Sequence, residues 1–155
     1  MDAIPRRAAR VLLLDATDRV LLFRGFDPAR PGHRYWFTVG GGLGPDEPAA
    51  AGAARELAEE TGLSLPPGEL TGPVWRETTE FPFDGRQYRQ DQEFFVARVP
   101  AWEVDTAGFN DVEQGSIDAH RWWTIEELES TDERYYPSNL PTLLRRLVGK
   151  ATAPC

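Results

Sequence analysis

The feature that most constrains the fold is an alanine-rich segment with a helix start signal at one end and a stop signal at the other. The segment Glu47–Thr61 reads EPAAAGAARELAEET, and alanine is the strongest helix former. Asp46 is a good N-cap, and a proline at position 48 suits the first turn of a helix. Gly62 is a natural C′ residue, because glycine readily adopts the left-handed conformation that ends many helices. The sequence therefore predicts a helix over Glu47–Thr61.

Short apolar runs before this helix predict β-structure. Arg10–Leu14 and Val20–Phe23 flank a polar turn, which is typical of a β-hairpin. Gly25–His33 contains two prolines and two glycines, which predicts a loop. Tyr35–Val39 is rich in aromatic and β-branched residues and predicts a strand that ends at Gly40–Gly42.

The chain after the helix predicts further strands and then helices. Asp84-Gly85 is a favoured hairpin turn, and Thr124 with Glu127 three residues later matches a capping box. Strands around one central helix, followed by terminal helices, predict an α/β fold with a mixed sheet. The predicted elements are strands over Pro73–Phe83, Arg86–Val99 and Ile117–Trp123, a short helix through Leu128 and a C-terminal helix over Asn139–Val148.

Composition limits the classes of protein to which the chain can belong. Its 155 residues suffice for one domain with its own core, and we expect a single domain over residues 1–155. The formal net charge of −8 at pH 7 argues against a broad nucleic-acid surface, and a single cysteine, Cys155, excludes an intrachain disulfide and a cysteine-based zinc site. No apolar run approaches the roughly 20 residues of a membrane-spanning helix, and the first residues do not resemble a signal peptide. We therefore expect a soluble, cytoplasmic protein with no membrane or nucleic-acid partner.

Three glutamates on the predicted helix indicate a metal site. Glu56, Glu59 and Glu60 stand at i, i+3 and i+4, so their carboxylates share one helix face. Like charges at this spacing destabilise a helix, and anions are also disfavoured near its C-terminal end, so a divalent cation is the obvious stabilising partner. Carboxylates without nearby histidine or cysteine favour Mg²⁺ or Mn²⁺ over zinc. Because Mg²⁺ takes few protein ligands and shares phosphate oxygens, the site predicts a phosphorylated substrate.

The residues around these glutamates form a spaced pattern that resembles a known family. Arg55 carries a planar fork that can bridge carboxylates or phosphate, and the glycines before the helix let the backbone approach a ligand without a Cβ. The Nudix box reads G-x5-E-x7-R-E-U-x-E-E-x-G-U, where U is an aliphatic residue. The chain fits all nine specified positions with Gly41, Glu47, Arg55, Glu56, Leu57, Glu59, Glu60, Gly62 and Leu63. The order of the predicted elements also looks like the Nudix fold over most of the chain.

This resemblance implies a fold, an activity and roles for individual residues. It implies the Nudix fold, a mixed β-sheet sandwiched between helices (α/β/α), and metal-dependent hydrolysis of a nucleoside diphosphate linked to another moiety, by water attack at phosphorus with Mg²⁺ or Mn²⁺. By motif position, Glu59 and Glu60 would be the principal metal ligands, and Glu56 a further ligand or a proton acceptor. A backbone carbonyl near Gly41 often adds a ligand, and Arg55 would hold the glycine loop against the helix.

Outside the box, the candidates are less specific. On the predicted strand Arg86–Val99, alternation places Glu93 on the same face as Asp91 and Phe95. Some Nudix enzymes use a glutamate in this region as ligand or base, so Glu93 is a candidate catalytic residue or else a solvated charge. The remaining candidates are four arginines, which are phosphate ligands or surface charges, and two aromatic residues, which stack on a base or belong to the core: Arg24, Arg34, Arg76, Arg89, Tyr35 and Trp36.

The sequence leaves other functions open. A Nudix domain that binds a nucleotide or metabolite as a sensor would most naturally have lost a box carboxylate, and none is lost here. A solvated acidic helix face explains the glutamates alone but not the spacing of Glu47 and Arg55, and residues 105–113 match a calcium loop only faintly. The small domain favours nucleoside triphosphates or other small nucleotides, although nucleotide sugars, ADP-ribose, dinucleoside polyphosphates and coenzyme derivatives stay open. Nudix proteins are often homodimers, so a homodimer is open as well.

Overall fold

The architecture is a mixed β-sheet with helices packed against both of its faces. A computed structural model describes residues 3–152, with side chains described for residues 3–148, so Cys155 lies outside the described residues. The strands are β1 (Ile4–Leu14), β2 (Val20–Asp27), β3 (Arg30–Gly42), β4 (Thr71–Phe83), β5 (Arg86–Arg98), β6 (Ile117–Trp123) and β7 (Tyr135–Tyr136). The helices are α1 (Ala49–Thr61), α2 (Asp111–Ser116), α3 (Ile125–Ser130) and α4 (Leu140–Thr152), with a short 3₁₀ helix at Pro67–Glu69. The sheet order is β4-β5-β1-β2-β3-β7, and β6 pairs with β2.

The sheet divides into two halves because β3 changes its partner along its length. β3 pairs with β2 up to Thr38 and with β1 from Val39 to Gly42. Within the described strands, β1 and β2 pair only at Leu14 and Val20, whereas β1 lies parallel to β5 along its whole length. One half is therefore β4-β5-β1 and the other is β6-β2-β3-β7, and they join where β1 meets β2 and at the end of β3.

Of two predictions for the chain before the helix, one is confirmed only in part and the other is wrong. The predicted hairpin of Arg10–Leu14 and Val20–Phe23 keeps its turn, but its strands diverge after one residue pair. The predicted loop Gly25–His33 does not exist as such, because β2 and β3 continue across it and only Pro28 and Ala29 form the turn. The prolines are tolerated because they lie at the tip of this hairpin, where the register shifts at Asp27.

The predicted helix is confirmed as α1, but it begins later than predicted. Its N-cap is Pro48 in an extended conformation, so Asp46 is not the cap. Glu47 lies in a tight turn before the helix, where its N–H donates to the Gly44 carbonyl at 3.2 Å and its carboxylate accepts the Gly44 N–H at 3.1 Å. Glu47 and Pro48, which the sequence predicts to lie in the first turn of the helix, therefore precede it, and the helix begins at Ala49.

Alternation along β1 directs its side chains into two separate cores. Val11 and Leu13 pack on the α1 side, where Leu57 belongs to the same cluster. Leu12 and Leu14 pack on the opposite side, in a cluster with residues of β6, α3 and α4. Because both faces of this half of β1 are covered, residues 11–14 form a continuous apolar run. The expectation of a sheet sandwiched between helices is thereby confirmed.

The elements predicted after the helix are largely confirmed. β4 and β5 form the predicted hairpin, whose turn residues Asp84 and Gly85 have φ values of 51° and 80°. β6 has the predicted bounds, α3 begins after a capping box at Thr124, and α4 begins at Leu140. α2, β7 and the first half of β1 were not predicted. Among residues 3–152, no helix is both long and apolar enough to cross a membrane.

Gly62 offers a test of how α1 ends. Its φ is 77°, its N–H donates to the Ala58 carbonyl at 2.9 Å, and an added Cβ would lie 3.0 Å from the Cβ of Asp105. We expect Gly62→Ala to lower the free energy of unfolding by about 1–2 kcal/mol, because a left-handed conformation is strained for alanine. Denaturant titration measures this change, with Gly68→Ala as control, since an added Cβ at Gly68 meets nothing within 4 Å. Equal stability of the two variants would contradict the prediction.

Candidate active site

A cavity of about 770 Å³ lies between the two halves of the sheet. Its walls carry side chains from β1 and β5 on one side and from β2 and β3 on the other. The tips of the two hairpins are joined at Asp27, which is buried and whose Oδ1 accepts the Asp84 N–H at 2.7 Å and the Ala29 N–H at 2.9 Å. The glycines Gly40–Gly42 and two glutamates of α1 also line the cavity.

Three glutamates from two helices meet at this cavity. Carboxylate oxygens of Glu56, Glu60 and Glu113 all lie within 4.8 Å of one another. Glu56 and Glu60 are one turn apart on α1, whereas Glu113 comes from the first turn of α2. Asn110 fixes that turn by a capping box, in which its side chain accepts the Glu113 N–H and the Glu113 carboxylate accepts the Asn110 N–H. The fold thus brings Glu113, from a distant part of the sequence, next to two glutamates of the box.

The cluster is electrostatically unfavourable without a counter-charge. Glu60 is 1% exposed, and burial together with the nearby Glu56 raises its pKa well above the usual range. Burial likewise raises the pKa of Glu56, with Glu59 and Glu113 contributing in the same direction. One backbone donor opposes this trend at Glu60, whose Oε2 accepts the Gly40 N–H at 3.1 Å. A bound cation would remove most of this electrostatic cost.

The glycine turn allows the backbone to approach these carboxylates. An added Cβ at Gly41 would lie 2.8 Å from Oε1 of Glu56, which is closer than a real Cβ can come. Gly40 has a φ of 138°, and an added Cβ there would lie 2.2 Å from the Ala9 carbonyl oxygen. Side chains at these two positions would therefore displace Glu56 or β1.

Arg55 joins the turn before the helix to the glutamates. Its Nε and Nη2 each donate at 2.8 Å to a different oxygen of Glu47, and this bidentate bond lowers the pKa of Glu47 to about 2. Its Nη2 also donates to the Gly42 carbonyl at 3.1 Å, and its Nη1 donates to Glu56 at 3.0 Å. The same Nη1 lies 3.2 Å from Glu59. Arg55 therefore fixes the loop, the helix and the rim of the carboxylate cluster together.

Arg10 connects the glycine turn to the opposite wall of the cavity. Its Nη1 donates to the Gly40 carbonyl at 3.1 Å, and its Nε donates to Oε1 of Gln92 at 3.3 Å. The guanidinium lies 5.9 Å from the centre of the Phe37 ring. Burial lowers the pKa of Arg10, although the negative charge of Glu60 opposes this shift.

The structure brings most of the predicted site residues together. Glu56, Glu60 and Gly41 meet at the cavity, with Arg55 in contact with Glu56. Glu59 is predicted as a principal ligand but lies outside the cluster, since its side chain is 40% exposed and pairs with Arg55. Whether the carbonyl of Gly41 or the carboxylate of Glu59 binds a metal stays a prediction.

Glu93 does not join the cluster. It forms an ion pair with Arg76 at 2.9 Å on the neighbouring strand and is not among the residues that line the cavity. Strand alternation explains this placement, because Gln90 and Gln92 are buried in the cavity wall and Glu93 is on the other face of β5. In this structure Glu93 therefore lies outside the glutamate cluster and the cavity wall, and its catalytic role stays a prediction.

The predicted phosphate ligands are also placed elsewhere. Arg24 and Arg34 both bind Asp118, at 2.8 and 2.7 Å, and neither they nor Arg76 and Arg89 line the cavity. The arginines that do line it are Arg6, Arg10, Arg30 and Arg134. The two aromatic candidates separate in the same way. Tyr35 lines the cavity, whereas Trp36 packs against Trp123 in the core, with ring centres 5.1 Å apart.

The donor set fits a hard divalent cation. All of its side-chain ligands are carboxylate oxygens, and the cluster contains no histidine or cysteine, which favours Mg²⁺ or Mn²⁺ over softer metals. Sequence analysis did not identify Glu113 as a site residue. Asn110 with a glutamate three residues later is nevertheless a capping-box signal. That signal predicts a helix start but not which other residues the helix approaches.

The crowded carboxylates predict how stability depends on pH. Because Glu56 and Glu60 have raised pKa values, the folded state binds more protons than the unfolded state, whose glutamates titrate near 4.3. In chelator, we expect the free energy of unfolding to decrease as the pH rises above about 4.3. Glu60→Gln should reduce this decrease, because it removes the most buried of these charges.

Urea titrations between pH 4 and 8 measure this dependence. The exposed Glu69 provides the matched control Glu69→Gln, which should keep the wild-type slope. Addition of Mg²⁺ should restore stability at high pH to the wild type and less to Glu60→Gln, because a ligand stabilises the state that binds it. Parallel pH profiles for the wild type and Glu60→Gln would contradict the prediction.

Comparison with known proteins is consistent with this fold. The family model of the NUDIX domain matches residues 4–145. One similar solved structure is a MutT protein from Methanosarcina mazei, with 19% identity and a TM-score of 0.65, covering 98% of this chain and 99% of that chain. Another is the E. coli dihydroneopterin triphosphate pyrophosphohydrolase, with 17% identity and a TM-score of 0.65, covering 96% of this chain and 99% of that chain. A third is a bifunctional NMN adenylyltransferase/ADP ribose pyrophosphatase from Francisella tularensis, complexed with AMP and a Mn ion. It has 20% identity and a TM-score of 0.61, covering 95% of this chain and 42% of that chain. No curated protein matches the chain. Because the family model spans nearly all of the described residues, the chain belongs to the Nudix family.

Proposed function

We propose that this protein hydrolyses a small nucleotide, in which a nucleoside diphosphate is linked to another group, by attack of water at phosphorus with Mg²⁺ or Mn²⁺. The observation that carries the proposal is the cluster of Glu56, Glu60 and Glu113 beside the glycine turn, at one end of a cavity. The cluster supplies hard oxygen ligands, and the cavity supplies the space for the organic part of the substrate.

The proposed metal ligands are Glu56, Glu60 and Glu113. The Nudix motif adds Glu59 and the carbonyl of Gly41 as further candidate ligands. The metal would neutralise charge on the bridging phosphates and increase the acidity of the attacking water. Gly40 holds the Glu60 carboxylate in place through its N–H. Either Glu56 or Glu113 accepts the proton of the attacking water at a carboxylate oxygen.

Cationic and aromatic residues of the cavity are proposed to hold the rest of the substrate. Arg6 enters the cavity from the strand beside the glycine turn and would bind phosphate oxygens. Tyr35 and Phe37 provide aromatic surface, with ring centres 5.9 Å apart. The names of two similar structures support a phosphorylated substrate of this kind, because one is a dihydroneopterin triphosphate pyrophosphohydrolase and the other includes an ADP ribose pyrophosphatase. A nucleoside triphosphate is the simplest member of that class.

Other properties of the chain stay predictions. We expect a cytoplasmic protein that acts on a free nucleotide rather than on nucleic acid, because its net charge is −8. A homodimer is consistent with the resemblance to the Nudix family and is tested by the mass of the protein in solution.

The activity is tested by release of phosphate, pyrophosphate or nucleoside monophosphate from a panel of nucleotides at pH 7.5–9. We expect turnover with Mg²⁺ or Mn²⁺, none with chelator, and a loss of at least about 100-fold in kcat/KM for Glu60→Gln, because a lost metal ligand removes several kcal/mol of transition-state stabilisation. Glu69→Gln is the matched control and should keep the wild-type rate. Binding of nucleotides without turnover of any of them would favour the sensor function instead.

A second pair of variants tests which glutamate outside the box takes part in the reaction. We expect Glu113→Gln to lower kcat by at least about tenfold, because its carboxylate lies within 4.8 Å of oxygens of Glu56 and Glu60. Glu93→Gln should leave kcat within about twofold, because Glu93 pairs with Arg76 outside the cavity and such exposed pairs contribute little. The reverse order of effects would return the catalytic role to Glu93. Thermal unfolding of both variants controls for misfolding.

A further inference from the structure

One buried polar atom in the cavity wall has no partner. Gln90 is 1% exposed, and its Oε1 has less than 1 Å² of exposed area and no hydrogen bond within the described residues. Gln90 lines the cavity, which makes it a candidate contact for the substrate. A buried acceptor without a donor is rare in folded proteins and marks a place where a ligand, a water molecule or an ion completes the bond.

A chain of hydrogen bonds determines which end of the Gln90 side chain is unpaired. Arg10 can only donate, and its Nε lies 3.3 Å from Oε1 of Gln92, which identifies that atom as the oxygen. The same oxygen accepts Nε2 of Gln90 at 2.8 Å. Gln90 therefore turns its nitrogen towards Gln92 and presents its own oxygen as the unused acceptor. The Arg10 guanidinium, at the start of this series of hydrogen bonds, thus fixes which end of each glutamine amide is the oxygen and which is the nitrogen.

The surroundings of Gln90 suit one end of a planar heterocycle. Across the sheet, Gln90 is paired with Thr79 on β4, which also lines the cavity. Its partner on β1 is Arg6, whose guanidinium lies against Gly42 at the glycine turn. Phe37 and Phe81 contribute aromatic surface to the same cavity. Aromatic walls with a few fixed polar groups are typical of sites that bind a flat, partly polar ligand.

We propose that Gln90 selects the base of the substrate by accepting a hydrogen bond from an exocyclic amino group. This inference rests on the proposed function, because it takes the ligand of the cavity to be a nucleotide. An amino group is preferred over a ring N–H because it projects beyond the ring edge and reaches a recessed oxygen with a smaller shift of the side chain. An oxo group at the same position would place two acceptors against each other, and the neutral amide offers no charge that would favour a cationic ligand.

Gln92 and Arg10 are positioning residues in this proposal. They do not carry the acceptor but hold its orientation, through contacts of 2.8 Å and 3.3 Å. Arg10 also donates to the Gly40 carbonyl, and Gly40 in turn donates to Glu60. The base-recognition site and the carboxylate cluster are therefore joined by one continuous set of hydrogen bonds.

The proposal is tested with pairs of nucleotides in which an oxo group and a protonated ring nitrogen beside it replace an amino group and an unprotonated one: ATP and ITP, CTP and UTP, GTP and XTP. For at least one pair we expect the wild type to favour the amino member by about ten- to a hundredfold in kcat/KM, which is the range for leaving a buried polar group unpaired. Gln90→Met removes the acceptor while keeping the length of the side chain and should reduce the preference to within about twofold. Gln87→Met, at an exposed position of the same strand, is the matched control and should keep it.

Equal rates for both members of every pair in the wild type would overturn the proposal, as would an unchanged preference in folded Gln90→Met. Gln90→Leu replaces Gln90→Met if thermal unfolding shows that the first variant does not fold. If no nucleotide is hydrolysed, the proposed function fails, and calorimetric binding of the same pairs then tests Gln90 separately. An amino preference in binding that disappears in the variant would support the role of Gln90, and equal or absent binding would overturn it.

Discussion

Burial of the Glu60 carboxylate is the constraint on which the rest of the site depends. A charge with 1% exposure is unfavourable unless donors or a cation surround it. Gly40 provides one donor from the backbone, and this contact requires a glycine because the turn has a φ of 138° and lies against β1. Two arginines hold this glycine turn in place: Arg10 donates to the Gly40 carbonyl and Arg55 donates to the Gly42 carbonyl. The box is therefore a set of mutually dependent contacts around one carboxylate.

Sequence reasoning located the part of the site that is local in the chain. Arg55, Glu56 and Glu60 lie within two turns of a single helix, so their spacing alone fixes which of them share a face. Glu113 could not be assigned in this way, because α2 is brought to α1 by contacts between distant parts of the sequence. β6, which follows α2, pairs with β2, and the loop before α2 bonds to the end of α1, where the Asp105 N–H donates to the Thr61 carbonyl at 3.0 Å. Alternation grouped Glu93 correctly with Asp91 on one face of its strand, but it did not show that Gln90 and Gln92, on the other face, line the cavity. Alternation predicts which residues of a strand point together, but it does not predict which face lines the cavity.

The same distinction applies to the fold. The turn at Asp84 and Gly85 and the capping box at Thr124 are encoded by adjacent residues and were predicted with nearly correct bounds. The pairing of β1 with β5, separated by some 80 residues, leaves no local signal, so β1 was assigned to a hairpin with β2. The region Gly25–His33 shows the opposite error, because Gly25 and Asp27 are typical turn residues but lie in a strand that is paired with β3, which leaves only a two-residue turn at the tip.

The pattern along β1 and β5 explains how one sheet face serves both the core and the cavity. Arg6 and Arg10 share their face of β1 with Leu12 and Leu14, which belong to a buried cluster. On β5, two glutamines at positions 90 and 92 are followed on the same face by Phe94. Parallel strands covered on both faces are usually apolar throughout, so a polar half on each of two paired strands departs from that rule. Such departures mark functional positions, because a buried polar row without a ligand would only destabilise the fold. The change from polar to apolar residues along these two strands therefore marks the boundary between the cavity and the core.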